Sequence, residues 1–436
     1  MSEKKPSIGA ILGLLGLMVL FYFAGYYMIA AILDVLHEEG LIPGTEADWR
    51  VYAGLLRTIP QTIGIALSFI WGVLADKFGR RKILLLLGIM MGTGLLGVSI
   101  SANYMQLLLS FTLFGIAMTG ITPVVYAFIA DVVPSEKRGI GYAVYYASSV
   151  LGMAVGLIIA GILLGWRISY MLTGLMVLVL VTPLYFTSRG VTIGFAEKAR
   201  VGKYGLSAAL SSLKTTTVSL ILIQIIPWTI PWGMLSLFAV DYFQTRWGIS
   251  KGSASLIISI AVLSIALGHV LGGALSDRLV KKGDKLARPK IAIIGIIIGY
   301  VAMIAMLTYP YPYGEETITN LLPPAFLAVA GMMFTTFAYP NISSVLSDVV
   351  KPEYRGTVFS IYNILNTGGW ALGPLIYSII VRNLIDTGIS ERNALLTAAV
   401  SIVSLWIICG IVWLVIARTY PKDKEKITAE TASKTQ

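Results

Sequence analysis

The sequence predicts an all-α integral membrane protein with twelve transmembrane helices in two pseudo-symmetric six-helix bundles, and three observations carry that prediction. Composition is the first: 56% of the residues are apolar, 13% are charged and the mean hydropathy is +0.81, whereas a soluble domain has about 25% charged residues. The second is that apolar runs of about 20 residues, enough to cross a ~30 Å hydrocarbon core, recur along the chain. The third is a repeat. DVVPSEKRG at 131–139 returns as DVVKPEYRG at 348–356, and the ungapped match from Thr122–Gly156 to Tyr339–Gly373 holds 11 identities in 35. GVLADKFGRRK at 72–82 is likewise echoed by GALSDRLVKKG at 273–283, with Asp76 falling on Asp277.

Taken in order, the runs place spans at 9–35, 50–75, 82–101, 104–130, 139–164 and 167–188, then at 216–243, 252–277, 289–309, 321–347, 356–382 and 393–418. The first is about twice as long as the 7–15 residue core of a signal peptide and reads as a retained helix. Residues 1–188 form the first bundle and 216–418 the second. The segment 189–215 is too polar to span and reads as a cytoplasmic linker, and 419–436 as a polar cytoplasmic tail. With both termini cytoplasmic, 26 of the 33 Lys and Arg lie on the inner side, six lie outside and Arg57 falls within the second span. The 22 acids divide 12 to 10, as the positive-inside rule allows, since Lys and Arg set topology while Asp and Glu contribute little. The net charge of +11 therefore reports orientation in a cell membrane and leaves no case for nucleic-acid binding. One cysteine, Cys409, allows no internal disulfide, and two histidines make no metal cluster. No cofactor is expected.

The two homologous halves, the basic central segment and the loop Gly72-x-x-x-Asp76-Lys77-x-Gly79-Arg80-Arg81 resemble the major facilitator superfamily of secondary transporters. Where the family ordinarily has arginine after the aspartate, Lys77 stands here, and in the second copy Val280 replaces the second glycine. The resemblance implies alternating access, in which two bundles rock about a central site. It also implies that the loop after the second span forms a charge cluster with Asp131 that closes the inner side. Gating is accordingly assigned to Asp76, Arg80, Asp131 and Arg138 and to their counterparts Asp277, Asp348 and Arg355. The alternative is that these are ordinary topology-setting loops, because surface ion pairs contribute only ~0–1 kcal/mol. Gly152 and Gly156 on the fifth span, matched by Gly369 and Gly373 on the eleventh, read as close helix packing. The family's antiporter signature puts Gly-Pro on the fifth span, but here Gly373-Pro374 lies on the eleventh. The arginine that many proton-coupled members carry on the fourth span is replaced by Phe111. Candidates for coupling a proton or cation are His269 in mid-span, and Asp34 and Asp241 near outer ends.

Substrate-binding candidates come from polar and aromatic stripes. On the second span Arg57, Gln61, Gly64 and Ser68 project within about 60° of one another. Others are Tyr22 and Tyr26 on the first span, Thr122 and Tyr126 on the fourth, Gln224, Trp228 and Trp232 on the seventh, and Asn363, Asn366 and Trp370 on the eleventh. Polar groups facing lipid are costly, so the stripes face inward, whether toward a solute or toward packing. Arg57 lies ~10 Å below the outer surface by helical rise. Its insertion costs about 2.5–3.5 kcal/mol, so it needs a partner: a solute's anionic group, or Asp34, or snorkelling to the headgroups.

The expected function is secondary active or facilitative transport of a small organic solute, with an organic anion favoured, through symport or antiport by a monomer. The alternatives are efflux of neutral or lipophilic compounds, or a non-transporting receptor on the same fold. Enzymatic activity is not expected, since no catalytic constellation and no phosphate-binding Gly-x-x-x-x-Gly-Lys-[Ser/Thr] loop occurs.

Overall fold

The computed structural model of the chain describes residues 7–134, 137–191, 212–351 and 354–432. Most of the expected linker, 192–211, lies outside the described residues. Inner and outer below follow the orientation that the basic residues predict. The spans are α1 (Ile8–Met28), α2 (Trp49–Phe78), α3 (Arg80–Ser99), α4 (Tyr104–Val132), α5 (Arg138–Ile158), α6 (Trp166–Thr187), α7 (Thr216–Trp247), α8 (Lys251–Lys281), α9 (Ala287–Leu307), α10 (Ile318–Thr335, resumed as Ala338–Val349), α11 (Arg355–Asp386) and α12 (Glu391–Val403, resumed as Leu405–Ala432). Among the described residues, eleven helices are long and apolar enough to cross a membrane. They become twelve when the two arms of α2, Trp49–Ser68 and Ile70–Phe78, bent by 50°, count as one span. The all-α, twelve-helix expectation holds.

The breaks have local causes. At the bend of α2, the Ser68 hydroxyl donates to Ile65 O at 2.7 Å and competes with the helix ladder. In α10, Pro340 has no N–H to offer the Thr336 carbonyl, and the hydroxyls of Thr335 and Thr336 donate to Gly331 O at 2.7 Å and Met333 O at 2.8 Å. The first span was expected to run to residue 35. Instead α1 tightens into a 3₁₀ turn at Ile29–Ala31 and gives way to a short helix, Leu33–Glu38, which carries Asp34. At the other end α12 continues as helix to Ala432, past the expected end of the span at 418. Lys, Glu and Ala, the residues that enrich Lys422–Ala432, are good helix formers in water, so loss of hydrophobicity there does not end the helix.

By contacts the chain forms two compact units. Unit 1 is Met1–Val201 with the outer ends of α7 (Ser236–Gln244) and α8 (Ser250–Ser259). Unit 2 is Gly202–Leu235, Thr245–Ile249 and Ile260–Gln436. Within unit 1, α1 packs on α5 and α6, α4 on α2 and α3, and α3 on α6. A Cβ at Gly152 or Gly156 would strike Leu20 O or Ala24 O of α1. In unit 2 the duplicated pair does the same, Gly369 against Thr229 and Gly373 against Ile230 O of α7. The glycines are small because backbones meet there, in agreement with the packing reading.

Candidate functional site

In unit 1 the sequence candidates Tyr26, Arg57 and Gln61 come together. Arg57 is 4% exposed. Its guanidinium lies over the Tyr26 ring at 3.5 Å from the centroid, and Nη2 donates to Tyr26 O at 3.0 Å. Gln61 Nε2 donates to the Tyr26 hydroxyl. Arg57 Nε and Gln61 Oε1 are buried with no hydrogen-bond partner. Phe111, Phe114 and Pro60 complete the walls of a cavity of ≈ 10 Å³, roughly room for one water. The pairing of Arg57 with Asp34 does not occur: Asp34 accepts from Gln244 Nε2 at 2.8 Å instead. Among the described residues no carboxylate neutralises Arg57. Phe111 now has a place, as an apolar wall beside the buried cation. Further along the stripe, Gly64 is pressed against Gly115 and Thr119 of α4, and Ser68 is tied to its own helix, so the inner half of the stripe serves packing.

A second cluster lies deeper in the same unit. Tyr22 OH donates to Tyr145 OH at 3.1 Å, Thr122 shares a 2.7 Å hydrogen bond with the same oxygen, and the half-exposed Tyr126 ring stands edge-on to Tyr145 at 5.2 Å. Tyr145 was visible only as half of the repeat pair Tyr145/Tyr362.

In unit 2, Gln224 and Trp228 are fully buried against α12: Trp406 Nε1 donates to Trp228 O at 3.0 Å and Cys409 Sγ to Gln224 O at 3.6 Å. The Gln224 amide atoms and the Trp228 and Trp232 indole N–H groups are buried without partners. Trp232 stacks parallel to Trp370 at 6.3 Å and meets Trp406 at 5.7 Å, a wall of three indoles. Asn366 Oδ1 accepts from Tyr339 OH at 3.1 Å, while Asn363 is exposed. His269 lies in mid-α8 with its ring 5.2 Å from Tyr339, and its Nδ1–H donates to Ile265 O at 2.9 Å.

Asp241 is not a lone acid at the rim. Arg50 Nε and Nη2 grip its carboxylate at 2.7 and 2.9 Å, with side chains 1% and 4% exposed. Sequence reasoning left Arg50 among the outer basic residues, because nothing in the local pattern links positions 191 apart.

At the inner ends each unit builds the same device. Arg80 joins Asp131 at 2.6 Å and Asp76 at 3.6 Å, and donates to Ala127 O. Arg288 joins Asp277 at 3.3 Å and Asp348 at 3.9 Å, with Lys424 Nζ and Tyr420 OH also on Asp348 at 2.8 and 2.5 Å. Arg138 and Arg355, at the starts of α5 and α11, bond backbone carbonyls. Their Nε atoms donate to Val133 O and Val350 O, both at 3.3 Å, so the repeated phrase writes an arginine cap for the ends of α4 and α10.

A family model described as Major Facilitator Superfamily matches residues 15–374. The chain is 25% identical over 404 residues to a protein of Lactococcus lactis subsp. lactis (strain IL1403) named multi-drug resistance efflux pump PmrA homolog, covering 90% of this chain and 91% of the relative. It is 23% identical over 385 residues to multidrug resistance protein MdtG of Klebsiella pneumoniae (strain 342), covering 85% and 89%. Among solved structures, a bacterial homolog to the human lysosomal transporter Spinster, inward-facing and unoccupied, superposes with a TM-score of 0.80 at 18% identity, covering 97% of this chain and 99% of that one. The nucleoside transporter NupG gives 0.70 at 12% identity, covering 93% and 98%.

Proposed function

The chain belongs to the major facilitator superfamily, a family of transporters rather than enzymes, and on that premise we propose that it exports amphiphilic organic compounds by alternating access. The observation that carries the export reading is the pair of relatives named for multidrug resistance, the first of them as an efflux pump, that it resembles over 85–90% of its length. The aromatic clusters support it: the Trp232–Trp370–Trp406 indoles and the Tyr26, Phe111 and Phe114 rings gather apolar surface that suits lipophilic bodies once the packed walls part. This displaces the expected preference for a small organic anion as the leading reading.

Arg57 keeps a narrower form of that preference alive as a second reading, in which the exported amphiphile carries an anionic group. A buried guanidinium with an unmet Nε donor and no carboxylate is costly, and an anion binding side-on offsets that cost. The cavity beside it is too small for a solute as it stands, so the α1, α2 and α4 walls have to part first. The test is binding of a dodecyl phosphate and of its neutral dodecanol counterpart to the purified protein and to its Arg57→Lys and Arg57→Gln forms. The second reading expects phosphate affinity to fall stepwise, Lys then Gln, by roughly tenfold or more in all, while dodecanol is unaffected. Equal affinity of all three proteins for the phosphate rejects it and leaves Arg57 structural.

A further inference from the structure

Among the described residues, unit 2 carries at its inner side a helical extension without a counterpart in unit 1. α6 ends at Thr187, but α12 continues to Ala432 and brings its last turns beside the start of α7 and the α10–α11 loop. Between these three segments lies a cavity of ≈ 320 Å³, at the lower end of the range of small-molecule sites. Its position relative to the bilayer follows from Thr216, which lines it and also opens the apolar span of α7. On the side that the Lys and Arg asymmetry assigns to the cytoplasm, that is headgroup level.

The charges in the cavity are unbalanced. Of its two acids, Glu430 is bound to Lys351 Nζ at 2.6 Å, and Asp423 accepts the Thr217 N–H at 2.9 Å, capping α7. Glu430 is thus paired with a cation while Asp423 keeps its charge, and the lining sets three lysines against two acids. Lys214 and Lys426 line the same cavity from opposite segments, and neither has a carboxylate within ion-pair distance among the described residues. The repeat adds an independent observation. DVVKPEYRG differs from DVVPSEKRG at three positions, and two of them, Lys351 and Tyr354, line the cavity. The second copy departs from the first where it faces this space, and pseudo-symmetric transport machinery does not require that.

We propose that this cavity binds a phosphate-bearing ligand, with Lys214 and Lys426 as its charge partners. A lysine is a point charge on a flexible stem, so two of them on different segments close on a phosphate from two sides without demanding one fixed geometry. The volume exceeds what a bare ion fills, which suits a phosphodiester headgroup or a soluble phosphate ester. An occupant ties the end of the linker, the α10–α11 loop and the α12 extension together.

The experiment uses the full-length protein in nanodiscs of phosphatidylcholine, with or without phosphatidylglycerol, and separately in detergent with inorganic pyrophosphate. Native mass spectrometry counts retained phosphatidylglycerol, and calorimetry reads pyrophosphate binding. At least one probe binds the unaltered protein, about tenfold more tightly than the K214Q/K426Q double variant. E430Q, which removes an acid and its ion pair with Lys351, strengthens binding, and K285Q, outside the cavity, leaves it unchanged. Phosphatidylglycerol without pyrophosphate identifies a lipid headgroup site, and pyrophosphate that displaces the lipid identifies a site open to soluble esters. Binding of neither probe, or equal binding by K214Q/K426Q and the unaltered protein, overturns the proposal. Both lysines are exposed, so their loss does not threaten folding.

Discussion

Two arginines on one helix, Arg50 and Arg57, show how a bilayer protein treats buried cations. Arg50 is neutralised: its bidentate pair with Asp241 satisfies the fork of one side chain with both oxygens of the other. Removing one partner from such a pair leaves an uncompensated buried charge, at a cost of about 3–5 kcal/mol. Asp241→Asn is therefore expected to lower the thermal midpoint in detergent sharply, and Arg50→Met with Asp241→Leu to recover most of the loss. An unchanged midpoint for Asp241→Asn would show that the pair contributes little. Arg57 has, among the described residues, a ring face and a backbone carbonyl in place of a carboxylate. That difference was half legible in the sequence. A lone arginine deep in an apolar run announces itself, but its partner does not, because partners are set by which helices meet. Hence Asp34 looked available to Arg57 until Gln244 was found holding it.

At the scale of helices and loops, the inner clusters Asp76–Arg80–Asp131 and Asp277–Arg288–Asp348 are one element used twice. In the sequence, the i,i+4 spacing pairs Asp76 with Arg80, and the family resemblance adds Asp131 to them. Arg288 escapes that reading because the second loop is longer, and the repeat offset of 201 puts Lys281 under Arg80 instead. Within the first cluster the two limbs are unequal: Asp76 is 72% exposed at 3.6 Å, while Asp131 is 5% exposed at 2.6 Å. An exposed limb contributes ~0–1 kcal/mol, so Asp76→Asn is expected to change the transport rate by less than about fivefold. Loss of the buried limb in Asp131→Asn is expected to slow transport roughly tenfold or more, with solute affinity within a few fold of the original. Stopped-flow transport together with equilibrium binding checks both. An Asp131→Asn protein that loses affinity but keeps its rate of exchange would place Asp131 in binding and not in gating. The breaks in α1, α10 and α12 were not legible either: Pro340 and the Thr335 and Thr336 hydroxyls act on individual carbonyls, beneath the resolution of an apolar run.

For the whole molecule, hydrophobicity and the repeat made the class plain, because a bilayer leaves few ways to satisfy a backbone and a duplication shows in the letters. What the solute is lies beyond composition, since aromatic stripes serve packing and binding alike. Gln224 and Trp228 show this, both drawn from one stripe with Trp232 and both buried against α12. At this scale the proposed activity is export of amphiphilic compounds. Its most direct test is the initial rate of uptake of an amphiphilic fluorescent dye by everted and by right-side-out membrane vesicles containing the chain, under imposed proton and sodium gradients. Export predicts gradient-dependent uptake into everted vesicles above that of vesicles lacking the chain, and none into right-side-out vesicles. Uptake confined to right-side-out vesicles, or rates equal to those of vesicles lacking the chain under every gradient, would contradict it.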